Sequence, residues 1–172
     1  MKKILMVLLV ICVSSSLVLS AAPKPVKKYA SLEFNKGEMY LTPQVGINST
    51  AIPFGASVEF AITENIGVGG TVMVWLWSEA GFSSSLIIPS LDAAYHFTSL
   101  KVEKLDLFAG LSLGYAIFSS DWLDWNSGLS IDPFIAGRYW FSDKLAASLR
   151  LNIGLMGDWS GVGALLGVTF RM

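Results

Sequence analysis

The feature that most constrains this chain is a period-two alternation that recurs eight times and always leaves one side uncharged. Segments 39–47, 52–62, 66–76, 86–97, 105–118, 129–141, 145–156 and 161–172 each set apolar residues at every second position. In the second, Ile52, Phe54, Ala56, Val58, Phe60 and Ile62 alternate with Gly55, Ser57, Glu59 and Ala61. In the fifth, Leu105, Leu107, Ala109, Leu111, Leu113, Tyr115 and Ile117 alternate with Asp106, Phe108, Gly110, Ser112 and Gly114. Successive side chains of a strand point to opposite faces, so each run reads as a strand with one uniform side. Across all eight, that side carries no charge and no Ser, Thr, Asn or Gln, while the other is small, Gly-rich and intermittently charged.

An uncharged face on every strand needs an apolar neighbour. The 172 residues suffice for one domain, and only 15% are charged, against about 25% in soluble domains. From Glu38 onward no stretch of uncharged apolar residues reaches the length of a membrane-spanning helix, so strands must do the crossing. In hydrocarbon every backbone N–H and C=O must be paired, which a sheet achieves only by closing on itself. The expected fold is therefore an all-β, eight-stranded antiparallel transmembrane β-barrel over residues 38–172. A secreted soluble barrel of lipocalin type is the alternative. It would expose Met73, Trp75, Phe108, Phe134 and Trp140 to water on a face with few charges, which disfavours it.

Residues 1–20 read as a cleaved signal peptide: Lys2 and Lys3, an apolar run from Ile4 to Val13, then small residues. Cys12, the only cysteine, lies in that leader, so the mature chain is expected to hold neither disulfide nor thiolate chemistry. Residues 21–37 carry Pro23, Pro25 and four lysines without apolar periodicity and read as a periplasmic tail. Loss of Lys2 and Lys3 takes the formal charge from -1 to -3, so no nucleic-acid partner is expected.

The turns at 63–65 and 142–144 are tight, and 98–104 is moderate. The connections 48–51, 78–85, 119–128 and 157–160 alternate with them. With an even strand number the first set is periplasmic and the second faces outside. The mature lysines all fall in the tail or the first set, whereas Glu79, Asp121, Asp124 and Asp158 fall in the second. Outer-membrane lipid is the expected surroundings, and the cell a diderm bacterium. Interfacial girdles are expected from Tyr95, Phe97, Tyr139, Phe141 and Phe170 at the periplasmic end and from Trp122, Trp125 and Trp159 in outer loops.

Inward parity falls to Glu59, Asp92, Asp106, Asp132, Arg138, Arg150 and Arg171. Buried ions need partners, so these residues are expected to form a lumen ion-pair network that either plugs the barrel or gates it. Inward glycines beside Trp75, Phe108, Phe134 and Trp140 suggest room for a small solute. His96, also inward, is expected to hydrogen-bond within the lumen. No metal-ligand spacing, nucleophile motif or phosphate loop occurs, so neither cofactor nor enzymatic activity is expected.

Strand count, turn pattern and the ending Gly-Val-Thr-Phe-Arg-Met resemble the small outer-membrane β-barrel family that includes the OmpA membrane domain, OmpX and OmpW. The resemblance implies recognition by the barrel assembly machinery, with Val162, Ala164, Leu166, Val168 and Phe170 matching the C-terminal pattern and Met172 standing where a terminal aromatic is usual. It implies a structural or surface-interaction role, with a narrow channel or an OmpW-like uptake path for small hydrophobic solutes as the alternative. A lipid A deacylase would need its histidine at the outer leaflet, and His96 lies at the other end.

Overall fold

The computed structural model describes residues 34–48, 52–79, 81–100, 102–120, 126–155 and 161–172. The strands are β1 (Met39–Asn48), β2 (Phe54–Ala61), β3 (Ile66–Glu79), β4 (Phe82–His96), β5 (Leu105–Ser120), β6 (Gly128–Ser142), β7 (Leu145–Ile153) and β8 (Val162–Arg171). They form one closed barrel in which each strand pairs antiparallel with its chain neighbours and β8 returns to β1. The seam is hydrogen-bonded to its end, where the Met172 amide donates to the Met39 carbonyl at 2.9 Å.

The register fixes the barrel's width. Followed from Asn48 through Gly163, Asn152, Phe134, Gly110, Ala94, Gly67 and Ala61, it returns to the first strand at Glu38, a shear of about ten residues. Eight strands with that stagger tilt by roughly 45° and enclose a space that their own side chains can fill. The run from Ile66 to Leu76 on β3, at about 3.4 Å per residue and that tilt, covers about 24 Å of height, the thickness of an outer-membrane apolar band.

The alternation assigns inside and outside as the sequence reads them. Val45, Ile47, Phe60, Val72, Leu91, Leu113, Ile135 and Leu166 are exposed on the outer wall, while Tyr40, Thr42, Gln44, Thr71, His96, Phe108, Phe134 and Arg138 are buried. The uncharged side thus faces outward.

Three features depart from the sequence reading. The expected loop at 78–85 is a continuation of the β3–β4 hairpin, paired out to Ser78↔Ser83 and Glu79↔Phe82. Its serines hide the strands from a search for apolar alternation, and Gly81, at φ 90°, takes the tight corner that L-residues resist. Second, the inward face holds more apolar bulk than its polar character suggested: Leu86, Ile88 and Ala116 are buried inside with Trp75, Trp77 and Phe118 packed on them. Third, the residues just before β1 pack against the barrel, a contact that the reading of 21–37 as a tail did not address. Phe34 is buried with Tyr40, Ala61, Trp140 and Ala146, and the Gly37 amide donates to the Ala61 carbonyl at 2.8 Å.

Candidate functional site

The charged residues of the lumen gather in two separate clusters, set by which strands the register brings level. The first lies toward the termini. Glu59 on β2, His96 on β4, Asp106 on β5 and Arg138 on β6 form a closed ring in which basic side chains and carboxylates alternate. His96 Nε2 lies 2.9 Å from Glu59 Oε1, and its Nδ1 lies 2.8 Å from Asp106 Oδ1. Arg138 completes the circuit, donating to the other oxygen of Glu59 and lying 3.5 Å from Asp106 Oδ2. An ionised carboxylate only accepts, so with both acids ionised both imidazole nitrogens donate, and two carboxylates then face two cations.

Aromatic rings close this cluster above and below. Phe34 stacks on the His96 ring with centroids 3.5 Å apart and planes 8° from parallel, and Phe108 stacks on it at 4.6 Å. The Arg138 guanidinium lies over Phe108 at 4.5 Å and Tyr40 at 4.8 Å, distances at which a cation is attracted by the ring face. At the mouth itself Arg171 meets Glu38 at 3.2 Å and stands 4.2 Å from Trp140. Tyr40 donates its hydroxyl to Glu38 Oε2 at 2.6 Å and accepts the Asn35 amide at 3.3 Å. These contacts tie the end of the tail to the barrel wall.

The second cluster sits at mid-height around Arg150 of β7. Its Nη1 donates to Asp92 Oδ2 at 2.9 Å, its Nε donates to Asn152 Oδ1 at 2.8 Å, and its Nη2 donates to the Ser112 hydroxyl. The Thr71 hydroxyl donates to the same Asp92 oxygen, and the guanidinium carbon lies over the Phe134 ring, 3.7 Å from its centroid. Asp132 accepts the Ser130 hydroxyl at 2.7 Å and makes no ion pair among the described residues. Of the seven lumen residues read from the sequence, the structure therefore places Glu59, Asp106 and Arg138 in one cluster and Asp92 and Arg150 in the other, with Arg171 at the mouth and Asp132 apart. It adds Glu38, Tyr40 and Phe34, which that reading left out of the network. Glu38 stood at the start of the barrel next to an obviously inward Tyr40, and two-residue parity from Tyr40 would have placed it inside.

Between the two clusters lies a cavity of about 30 Å³ lined by Thr42, Ser57, Ser148 and the charged residues on either side, enough for a water molecule. At three of the inward glycines the adjacent space is taken by a side chain. A β-carbon at Gly67 would meet Glu59 Oε1 at 2.1 Å, one at Gly110 would meet Phe134 Cζ at 2.5 Å, and one at Gly46 would meet Leu165 Cδ2 at 2.6 Å. These three glycines accommodate side chains of the adjacent strands.

On the outer wall Tyr95, Phe97, Tyr139 and Phe141 are exposed near the termini end, and each pair, Tyr95 with Phe97 and Tyr139 with Phe141, meets edge to face at 5.5 Å. Phe170 is half-buried between β1 and β7. Trp122, Trp125 and Trp159 lie outside the described residues. Toward the loop end, exposed Phe54 and Tyr115 occupy strand positions of outward parity, while exposed Phe82 stands on the inward parity of β4 beyond the buried Ser84.

A closed antiparallel barrel that is uncharged outside and ion-paired within is a transmembrane β-barrel, and its fold and apolar belt place it in the outer membrane. Solved structures agree on this fold. OprG of Pseudomonas aeruginosa is similar over 83% of this chain and 99% of its own, with a TM-score of 0.65 and 8% identity. The N-terminal β-barrel domain of OprF from the same species is similar over 80% and 98%, at 0.57 and 17%. Ail, the attachment invasion locus protein of Yersinia pestis, is similar over 80% and 99%, at 0.51 and 17%. No protein-family model matches the sequence, and no curated protein matches it. At these identities the likeness is one of fold, which hosts many functions.

Proposed function

We propose that this protein is a sealed outer-membrane barrel with a structural or surface-interaction role. The observation that carries the reading is the filled lumen. An alternating ring of Glu59, His96, Asp106 and Arg138, stacked between Phe34 and Phe108, stands in series with the Arg150 cluster, and the cavity between them measures about 30 Å³. A hydrated ion would have to part both. Enzymatic chemistry is disfavoured by the same geometry, because the sole histidine has both nitrogens engaged by carboxylates inside the lumen. Contact with other molecules is assigned to the outer loop that carries Asp121, Trp122, Asp124 and Trp125.

Planar-bilayer recording and liposome swelling, on protein shown to be folded by heat-modifiable gel mobility, test the seal. The expected result is no conductance and no solute uptake. Sustained conductance would replace the reading with a narrow gated path. The second reading draws on the polar cavity itself, which already lies between the two clusters and needs only their separation to extend.

A further inference from the structure

The ring of Glu59, His96, Asp106 and Arg138 is covered by two aromatic side chains that are held in different ways. Against one face of His96 lies Phe108, inside β5 and paired with His96 itself on β4 and with Ala136 on β6. Against the other lies Phe34, which precedes β1 and belongs to no strand. Phe34 is nonetheless only 2% exposed, enclosed at the mouth by Tyr40, Ala61, Trp140 and Ala146.

A turn puts it there. The Glu38 amide donates to the Asn35 carbonyl at 3.3 Å, closing a four-residue turn whose third member, Gly37, has φ 89°, the left-handed value of a type II turn. The Gly37 amide donates to the Ala61 carbonyl at 2.8 Å and the Ala61 amide to the Glu38 carbonyl at 3.0 Å. Two residues thus stand against one, in a glycine bulge that bends the chain. Asn35 is fastened within the same turn, its amide donating to the Tyr40 hydroxyl at 3.3 Å and its Nδ2 to Glu38 Oε1 at 3.4 Å. A β-carbon at Gly37 would meet nothing within 4 Å, so the turn needs glycine for its backbone freedom and not for space.

We propose that residues 34–37 are a strap over the mouth nearer the termini, with Phe34 as its stopper and Gly37 as its hinge, and that water reaches the ring from this end only when the strap lifts. Lifting gives up the Gly37–Ala61 bond at the end of the ladder and leaves β1, which begins at Met39, in register with both neighbours. A segment outside the ladder opens more readily than the strands it rests on. The inference rests on the reading of the lumen as sealed and names the element that controls one end of it. Because the Arg150 cluster stands in series behind the ring, a lifted strap wets the ring without opening a path.

Thiol reactivity tests this in the folded barrel in detergent, on a Cys12→Ser background, with a cationic methanethiosulfonate reagent. Ala61→Cys and Ala146→Cys report from under the stopper, and either suffices if the other fails to fold. Ala116→Cys, buried with Leu86 and Ile88 toward the loops, reports on the barrel at large. The reporters under the stopper are expected to react slowly in the parent, and Phe34→Ala to uncover them. Gly37→Val keeps Phe34 and penalises only the turn; it is expected to raise their rates roughly tenfold, the cost of a left-handed backbone at a residue with a side chain, and to leave Ala116→Cys unchanged. A rise with Phe34→Ala alone makes Phe34 a fixed cap and overturns the hinged strap. A matching rise at Ala116→Cys assigns the effect to a loosened barrel and overturns it as well. Planar-bilayer recording keeps the two readings apart: conductance by the parent overturns the seal, whereas unchanged thiol rates in Gly37→Val overturn the strap.

Discussion

Toward the termini the lumen is held by ions and aromatic rings: Glu59, His96, Asp106 and Arg138 between Phe34 and Phe108. Toward the loops it is held by Leu86, Ile88 and Ala116 under Trp75, Trp77 and Phe118, with no ion pair among them. Both regions lie in the same tube, at the same radius, behind the same apolar wall. They differ in how they fail. A buried ion without its partner keeps its full desolvation cost, so the ringed half responds to the loss of one member as a unit. A trimmed apolar side chain leaves a void that neighbours partly fill, so the loop half should respond in grades.

The sharpest way to break this contrast is Arg138→Met, which leaves Glu59 and Asp106 facing each other with His96 alone between them. It is expected to cost about 3–5 kcal/mol in urea unfolding from lipid vesicles. A smaller loss would mean that the ring is not a unit. Leu86→Ala in the other half is expected to cost about 2–3 kcal/mol by the same measurement. The double variant should be additive within about 0.5 kcal/mol, since the two sites share no partners, and marked non-additivity would show the halves to be coupled. At the seam, where the Thr42 and Thr169 hydroxyls lie 2.9 Å apart in a buried pair, Thr42→Val should cost about 1–2 kcal/mol by stranding its partner. The smallest effect is that of salt. Raising ionic strength should leave the unfolding midpoint almost unchanged, because pairs whose side chains are 13% exposed or less are screened little. A steep salt dependence would show that water reaches the ring.

Much of the architecture was legible because hydrocarbon tolerates so few residues. One stray Lys on the outward parity of β5 or β8 would have spoiled the pattern, and none occurs. The β3–β4 hairpin tip was not legible, since Ser78 to Ser85 lie beyond the apolar band and carry no alternation to read. The lumen residues were legible as a set but not as partners. Glu59 and Arg138 are 79 positions apart on strands that are not adjacent, and only the closed register brings them together. Phe34 was the hardest to see. It is an isolated aromatic in a polar stretch, and its place follows from His96 offering a flat ring at the mouth.

The four residues of the ring come from β2, β4, β5 and β6, and the Arg150 cluster adds β3 and β7. Neither group draws on β1 or β8, yet Glu59 of β2 and Arg138 of β6 come level across the lumen only when that seam closes and curls the sheet between them. Sealing the backbone edge and neutralising the lumen charges are therefore one event.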